Sequence, residues 1–276
     1  MTVHERTRDL DRLAARVADA DLELSRFTAE ELLAAGPADA PLLEPAGWYA
    51  QLDPDAQQVA RITALRSLTA RGFVVPVEAG SDVAAPAYEP RGDLASVLSL
   101  RARARGVVRI EHHQPGGTSR RHAWLLCPGL VLDERANPDG YHASTLRTEL
   151  SLATDVAARL DPDDLAARNR VTEAPCAPDA PDGDRGPGSP PDRFTELSEL
   201  AAQARRRVRM LAALGGEEPT IMTNELAATT QGVVGIALDV DADGTSRPSA
   251  ALLGADEVIP AVLGCLVPPL IEEAAT

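Results

Sequence analysis

Two stretches of this chain set out apolar and polar residues in the same order. From Arg101 to Leu160 an Arg-led apolar run (RARARGVVRIEHH) turns at PGG and returns as HAWLLCPGLVLDE. It turns again at ANPDG and closes on SLATDVAARL, whose spacing is that of a helix. From Arg205 to Leu266 the order recurs as RRRVRMLAAL, GGEEP, IMTNELAATTQGVVGIALDVDADG and ADEVIPAVLGCL. Matching punctuation predicts an internal duplication. The expected fold is α+β: two pseudo-repeated antiparallel sheet units with flanking helices, preceded by a helical, winged-helix-like segment.

The N-terminal third carries clearer local signals. Val3 to Leu24 predicts a helix with a thin apolar stripe of Leu10, Leu13, Val17 and Leu24. Thr28 with Glu31 three residues on forms a capping box for a second helix, which Gly36 and Pro37 end. Asp53 as N-cap and Pro54 in the first turn open a third helix that runs to Arg71, with Gly72 just past its end. Its residues Val59, Ile62, Leu65 and Leu68 are expected to form the buried face, and Phe73 to Val75 a strand. Helix, tight turn and strand in that order are similar to the second half of a winged helix. Gly80 to Pro90 is expected to be a linker, with a helix from Asp93 to Leu100 after it. The stretch from Glu173 to Asp192 is rich in Pro, Gly and Asp and is expected to be a tether. The expected domains are therefore 1–90, 91–172 and 193–276, with 173–192 between the last two.

Composition narrows the chemistry. All 27 basic residues are Arg, so Schiff-base, P-loop-lysine and lysine-base mechanisms are excluded. A net charge of −15 opposes sequence-independent binding to nucleic acid or anionic lipid. No apolar run approaches a membrane span and the first thirty residues carry no signal core, so a cytoplasmic protein without membrane contact is expected. Cys127, Cys176 and Cys265 are too widely spaced for a zinc knuckle. His112 or Glu111 across a hairpin from His122 would give a transition metal two ligands at most, since His112 and His113 point to opposite faces. DVDADG at Asp239 opens like a calcium loop, but Ala250 stands where the bidentate Glu must be. Cys127 with His142 fails as nucleophile and base because WLLCPG is apolar. No hydrolase elbow, zinc-protease or nucleotide-loop motif occurs. The expectation is no enzyme, no cofactor and no metal.

Two basic clusters remain: Arg101, Arg103, Arg105 and Arg109, and then Arg205, Arg206, Arg207 and Arg209, of which Arg205, Arg207 and Arg209 are the candidate partner-binding residues. Alternation would place the first four on one face of a strand, where they would form a docking stripe for an acidic partner or simply a solvated face. The alternative function is a winged-helix DNA-binding regulator using Arg61, Arg66 and Arg71 on phosphates, against which the overall charge stands. The ALRSLTARGFV turn, the VVRIEHHQPGG and LLCPGLVLDE strands, the VVGIALDVDADGTSR hairpin and the ADEVIPAVLGCL helix together resemble the EspG-like chaperones of type VII (ESX) secretion. That resemblance, one of layout from Asp53 to Leu266, implies a quasi-twofold fold without catalysis that binds a helical secretion substrate. Exposed sheet edges also make a homodimer compatible with the pattern.

Overall fold

The structure, a computed structural model, describes residues 3–36, 49, 51–77, 87–137, 139–160, 193–214, 220–240 and 246–267. The first elements are α1 (Val3–Asp19), β1 (Leu22–Glu23), β2 (Phe27–Thr28), α2 (Ala29–Ala35), α3 (Pro54–Ala70), β3 (Val74–Val77) and β4 (Ala87–Pro90). Then come α4 (Gly92–Arg103), β5 (Gly106–Gln114), β6 (Gly117–Cys127), β7 (Leu130–Ala136), β8 (Tyr141–Arg147) and α5 (Glu149–Ala158). The same succession of a helix, four strands and a helix follows as α6 (Arg193–Ala202), β9 (Arg206–Leu214), β10 (Thr220–Ala228), β11 (Val233–Val240), β12 (Ser246–Leu253) and α7 (Ala255–Leu266). The fold is α+β with antiparallel sheet. Two compact units are present, Met1–Val107 with Arg121–Thr148, and Val108–Arg120 with Glu149–Thr276. The tether at 173–192, Cys176 and the 241–245 part of the calcium-like stretch lie outside the described residues.

In the first unit the capping box on α2 forms and does a second job. Thr28 Oγ1 accepts from the Glu31 N–H at 3.2 Å, and the Glu31 carboxylate accepts from the Thr28 N–H at 3.0 Å. That carboxylate also accepts from the Ser67 hydroxyl at 2.7 Å and from Arg71 at 2.8 Å, tying α2 to the end of α3. The Arg71 guanidinium lies 4.9 Å from the Phe73 ring centroid and 5.5 Å from that of Phe27, which itself meets Phe73 edge-on. Cation–π contact and ion pairing thus fix the corner where α3 gives way to β3. Asp53 caps α3 as expected, accepting from the Ala56 N–H at 2.8 Å, and Gly72 takes φ +75° after the last turn.

The expected buried face of α3 is corrected. Leu65 and Leu68 are buried, but Val59 is 64% and Ile62 40% exposed. A strict three-residue spacing loses roughly 60° per step on a helix of 3.6 residues per turn, so Val59 and Leu68 end on opposite sides. Two further expectations shift. The first helix stops at Asp19, because Leu22 and Glu23 pair with Leu146 and Thr145 of β8. The expected linker at Gly80–Pro90 contains β4, which pairs with β3 from Val74↔Pro90 to Val77↔Ala87. The core of this unit joins Phe27, Leu32, Leu68, Leu94, Val97, Trp124, Leu126, Leu132 and Leu146.

In the second unit the strands lie in the order β5-β9-β10-β11-β12. The stretch IMTNELAATTQGVVGIALDV splits at a turn where the Thr229 N–H donates to the Gly232 carbonyl at 2.8 Å. α6 seats Leu197 and Ala201 on Ala227 and Val234. α7 begins where the Gly254 N–H donates to Glu257 Oε2 at 2.6 Å, and it buries Val258, Val262, Cys265 and Leu266. Burial pushes the Cys265 thiol up to about 11, with a hydrogen bond to Asn224 pulling weakly the other way. The thiol therefore stays protonated and inert at neutral pH. Iodoacetamide at pH 8 is expected to label Cys265 at least tenfold faster in urea than in the native protein, by mass spectrometry of the alkylated peptide. Equal rates would show that α7 does not hold its place on the sheet.

Candidate functional site

The first arginine cluster is not a strand stripe. Arg101 and Arg103 belong to α4 and Arg105 to the connection after it, which leaves only Arg109 on β5. The helix prevails because Leu94, Val97 and Leu100 recur at helical spacing and all three are buried, while alternating Arg and Ala suit its last turn. Arg101 forks onto Glu134 of β7, with Nε 3.0 Å from Oε2 and Nη2 on Oε1, and its guanidinium stands 5.6 Å from the Trp124 ring. Glu134 also accepts from His142 Nδ1 at 2.7 Å and from Trp124 Nε1 at 3.3 Å. Burial alone would raise its carboxyl, yet the His142 hydrogen bond and the Arg101 charge outweigh it and hold the group at about 2. This side of β7 is a closed, satisfied ion cluster, so Arg101 is occupied as a structural partner.

Asp133, the neighbour of Glu134, faces the other side of the pleat. It is fully buried, with Oδ2 3.1 Å from Arg135, and 3.5 Å from both Arg121 and Arg147. Arg147 reaches on to Asp21 at 2.6 Å. None of these residues was picked out by motif reasoning.

The second unit brings arginines together on a surface. Arg109, Glu111 and His113 alternate along one face of β5. Arg109 donates to Glu111 Oε1 at 2.6 Å, and Arg120 approaches the same oxygen at 3.2 Å from β6. His113 Nδ1 meets the Thr118 hydroxyl at 3.0 Å, so the hairpin turns at Pro115 and Gly116. On β9, Arg207 and Arg209 stand opposite Ala227 and Glu225, and Arg207 comes within 3.6 Å of Glu225. His113, Thr118, Arg205 and Arg207 share the lining of one open pocket, which puts both strands' basic side chains on the same face. α6 occupies that face over β10 to β12, through Ala227, Ile236, Ala250 and Leu252. The β5–β9 part carries Arg109, Arg120, Arg205, Arg207 and Arg209 around two carboxylates, Glu111 and Glu225. Arg205 and Arg209 are exposed and make no ion pair among the described residues.

The histidine reading is corrected. The hairpin sets Glu111 against Arg120, and His122 registers across from Glu134 on β7, so Glu111 and His122 are not directly opposite each other. Among the described residues no group of three or more His, Cys, Asp or Glu could hold a metal ion. On the winged-helix side, Arg61 and Arg66 are exposed on α3, whereas Arg71 is engaged by Glu31 and by the Arg26 carbonyl at 2.7 Å. No described helix is long and apolar enough to cross a membrane. No protein-family model matches the chain, and no curated protein matches it either.

Proposed function

We propose that this protein is a non-enzymatic binding module that docks an acidic segment of a partner protein on the β5–β9 face of its second unit. One observation carries the reading. In a chain of net charge −15, the guanidiniums of Arg109, Arg120, Arg205, Arg207 and Arg209 gather on one sheet face and outnumber its two carboxylates. Guanidinium groups bind carboxylates in bidentate pairs, and a patch of one sign steers an oppositely charged partner into register. The surrounding negative charge disfavours nucleic acid, whose binding needs counterion release over many phosphates. The resemblance to type VII secretion chaperones would make the acidic segment part of a helical secretion substrate held in the cytoplasm.

The test captures partners on the immobilised protein and, in parallel, on an Arg109→Gln/Arg209→Glu variant whose circular dichroism matches wild type. A stoichiometric protein with an acidic segment is expected on wild type. It should drop at least tenfold on the variant and in about 0.5 M salt, where the screening length is a few ångströms. Identical captures by the two proteins, or a partner that resists salt, would remove the reading.

A further inference from the structure

The edge of the docking face, where Arg205 and Arg207 stand, borders a pocket whose ligand does not depend on the docking reading. An open pocket of about 470 Å³ lies between the tip of the β5–β6 hairpin and the connection from α6 to β9. One wall presents His113, Gln114 and Thr118, and the other Ala204, Arg205 and Arg207. Gly117 also lines it, at φ +141°, a conformation that glycine takes without strain and that leaves the backbone open to a ligand.

Three features fit this pocket to a small oxyanion. First, its positive charge is poorly neutralised. Arg205 makes no ion pair among the described residues, and Arg207 reaches only to 3.6 Å from Glu225. The nearest carboxylate on β5, that of Glu111, is already held by Arg109 at 2.6 Å and Arg120 at 3.2 Å. Second, the remaining polar groups are the Gln114 amide, the Thr118 hydroxyl and the His113 ring bonded to that hydroxyl at 3.0 Å, and they add hydrogen-bonding groups beside the two guanidiniums. Third, the volume falls within the range of small-molecule sites and exceeds what one carboxylate side chain fills.

We propose that this pocket binds the phosphate group of a small phosphorylated molecule, with Arg205 and Arg207 gripping its oxygens and Thr118 and Gln114 donating to it. Two planar forks closing on a tetrahedral dianion make more charge-assisted bonds than they can to a flat monoanion. Phosphate is therefore favoured over carboxylate at this site.

The experiment titrates ¹⁵N-labelled protein with inorganic phosphate, with phenyl phosphate and with succinate, following Gly116, Gly117 and the arginine Nε signals. Saturable shifts are expected for both phosphates with Kd of about 1 mM or tighter, and at least tenfold weaker binding for succinate. Arg205→Gln should weaken phosphate at least tenfold, while Arg12→Gln, at an exposed position on α1, should leave it unchanged. No saturable shift with phosphate, succinate binding as tight as phosphate, or equal weakening by both substitutions would overturn the proposal. Arg109 and Arg209 do not line the pocket, so the Arg109→Gln/Arg209→Glu variant should bind phosphate as wild type does even where it loses the docked partner, which separates the two ideas.

Discussion

Asp133→Ala is expected to cost the protein about 3–5 kcal/mol, the largest loss from any single side chain here. The reason is what the alanine leaves behind. Arg121 and Arg147 are nearly closed off from solvent and stand 3.5 Å from Asp133, with Arg135 nearer still at 3.1 Å. An arginine cannot shed its proton to escape burial, so without the carboxylate three guanidiniums repel each other in a region of low dielectric. Asp133→Asn keeps the shape and loses only the charge, and it should still cost most of the same amount. Urea unfolding followed by far-UV circular dichroism measures both. If either variant lies within about 1 kcal/mol of wild type, water or relaxation serves the arginines and the cluster is not held by charge. Pairing Asp133→Ala with Arg121→Met should recover part of the loss, since removing both partners of a buried pair is far cheaper than removing one.

These buried charges show where the sequence could be read and where it could not. The caps were legible: Thr28 with Glu31, and Asp53 with Pro54, are short-range chemistry, and the structure forms both. The duplication was legible from apolar runs, turn residues and a closing helix in each copy, whereas the number of strands per copy and the helix that opens the second were not. The faces of elements were less so. Val59 looked buried and is exposed, because spacing by threes imitates a stripe only over a short length. Arg101 looked like a strand residue because Arg-Ala alternation satisfies a period of two, while the apolar spacing of Leu94, Val97 and Leu100 carried the helix three residues further than expected.

The site itself was half legible. Arg207 and Arg209 of the second cluster lie on β9 and Arg205 just before it. Their companions Arg109, Arg120, His113 and Thr118 come from a hairpin in which one residue of turn position decides which side chains meet. The turn at Pro115–Gly116 sets Glu111 against Arg120, where a turn one residue later would have set it against His122. One signal for Asp133 and Glu134 was present. Leu130, Val131 and Leu132 are apolar on both faces of one strand, so the two acids that follow had to enter a buried region and find cations there. In a chain whose only abundant cation is arginine, those cations were bound to be guanidiniums.

The other large effect is a dependence on acid that runs through Glu134. Its carboxyl, ordinarily near 4.5, is held at about 2 in the folded protein. A depressed carboxylate contributes stability that is fully present above 4.5 and is lost as pH falls toward 2. That difference corresponds to about 3 kcal/mol. Glu134→Gln removes the titration and should flatten the acid limb between those values, while lowering stability at pH 7 by several kcal/mol as Arg101 and His142 lose their acceptor. Arg101→Met acts from the other side. It removes the fork and the charge but leaves the carboxylate buried, so the folded value must rise and the midpoint of acid unfolding should move up by about one pH unit or more. Stability curves of the three proteins from pH 7 to 2 decide the matter. Superposable acid limbs for wild type and Glu134→Gln would mean that the cluster is not what acid breaks. A raised midpoint in Arg101→Met together with a flattened limb in Glu134→Gln would show that Arg101 acts as the counter-ion of a buried carboxylate. The docking proposed for this protein would then rest on arginines of the second unit alone, Arg109 among them.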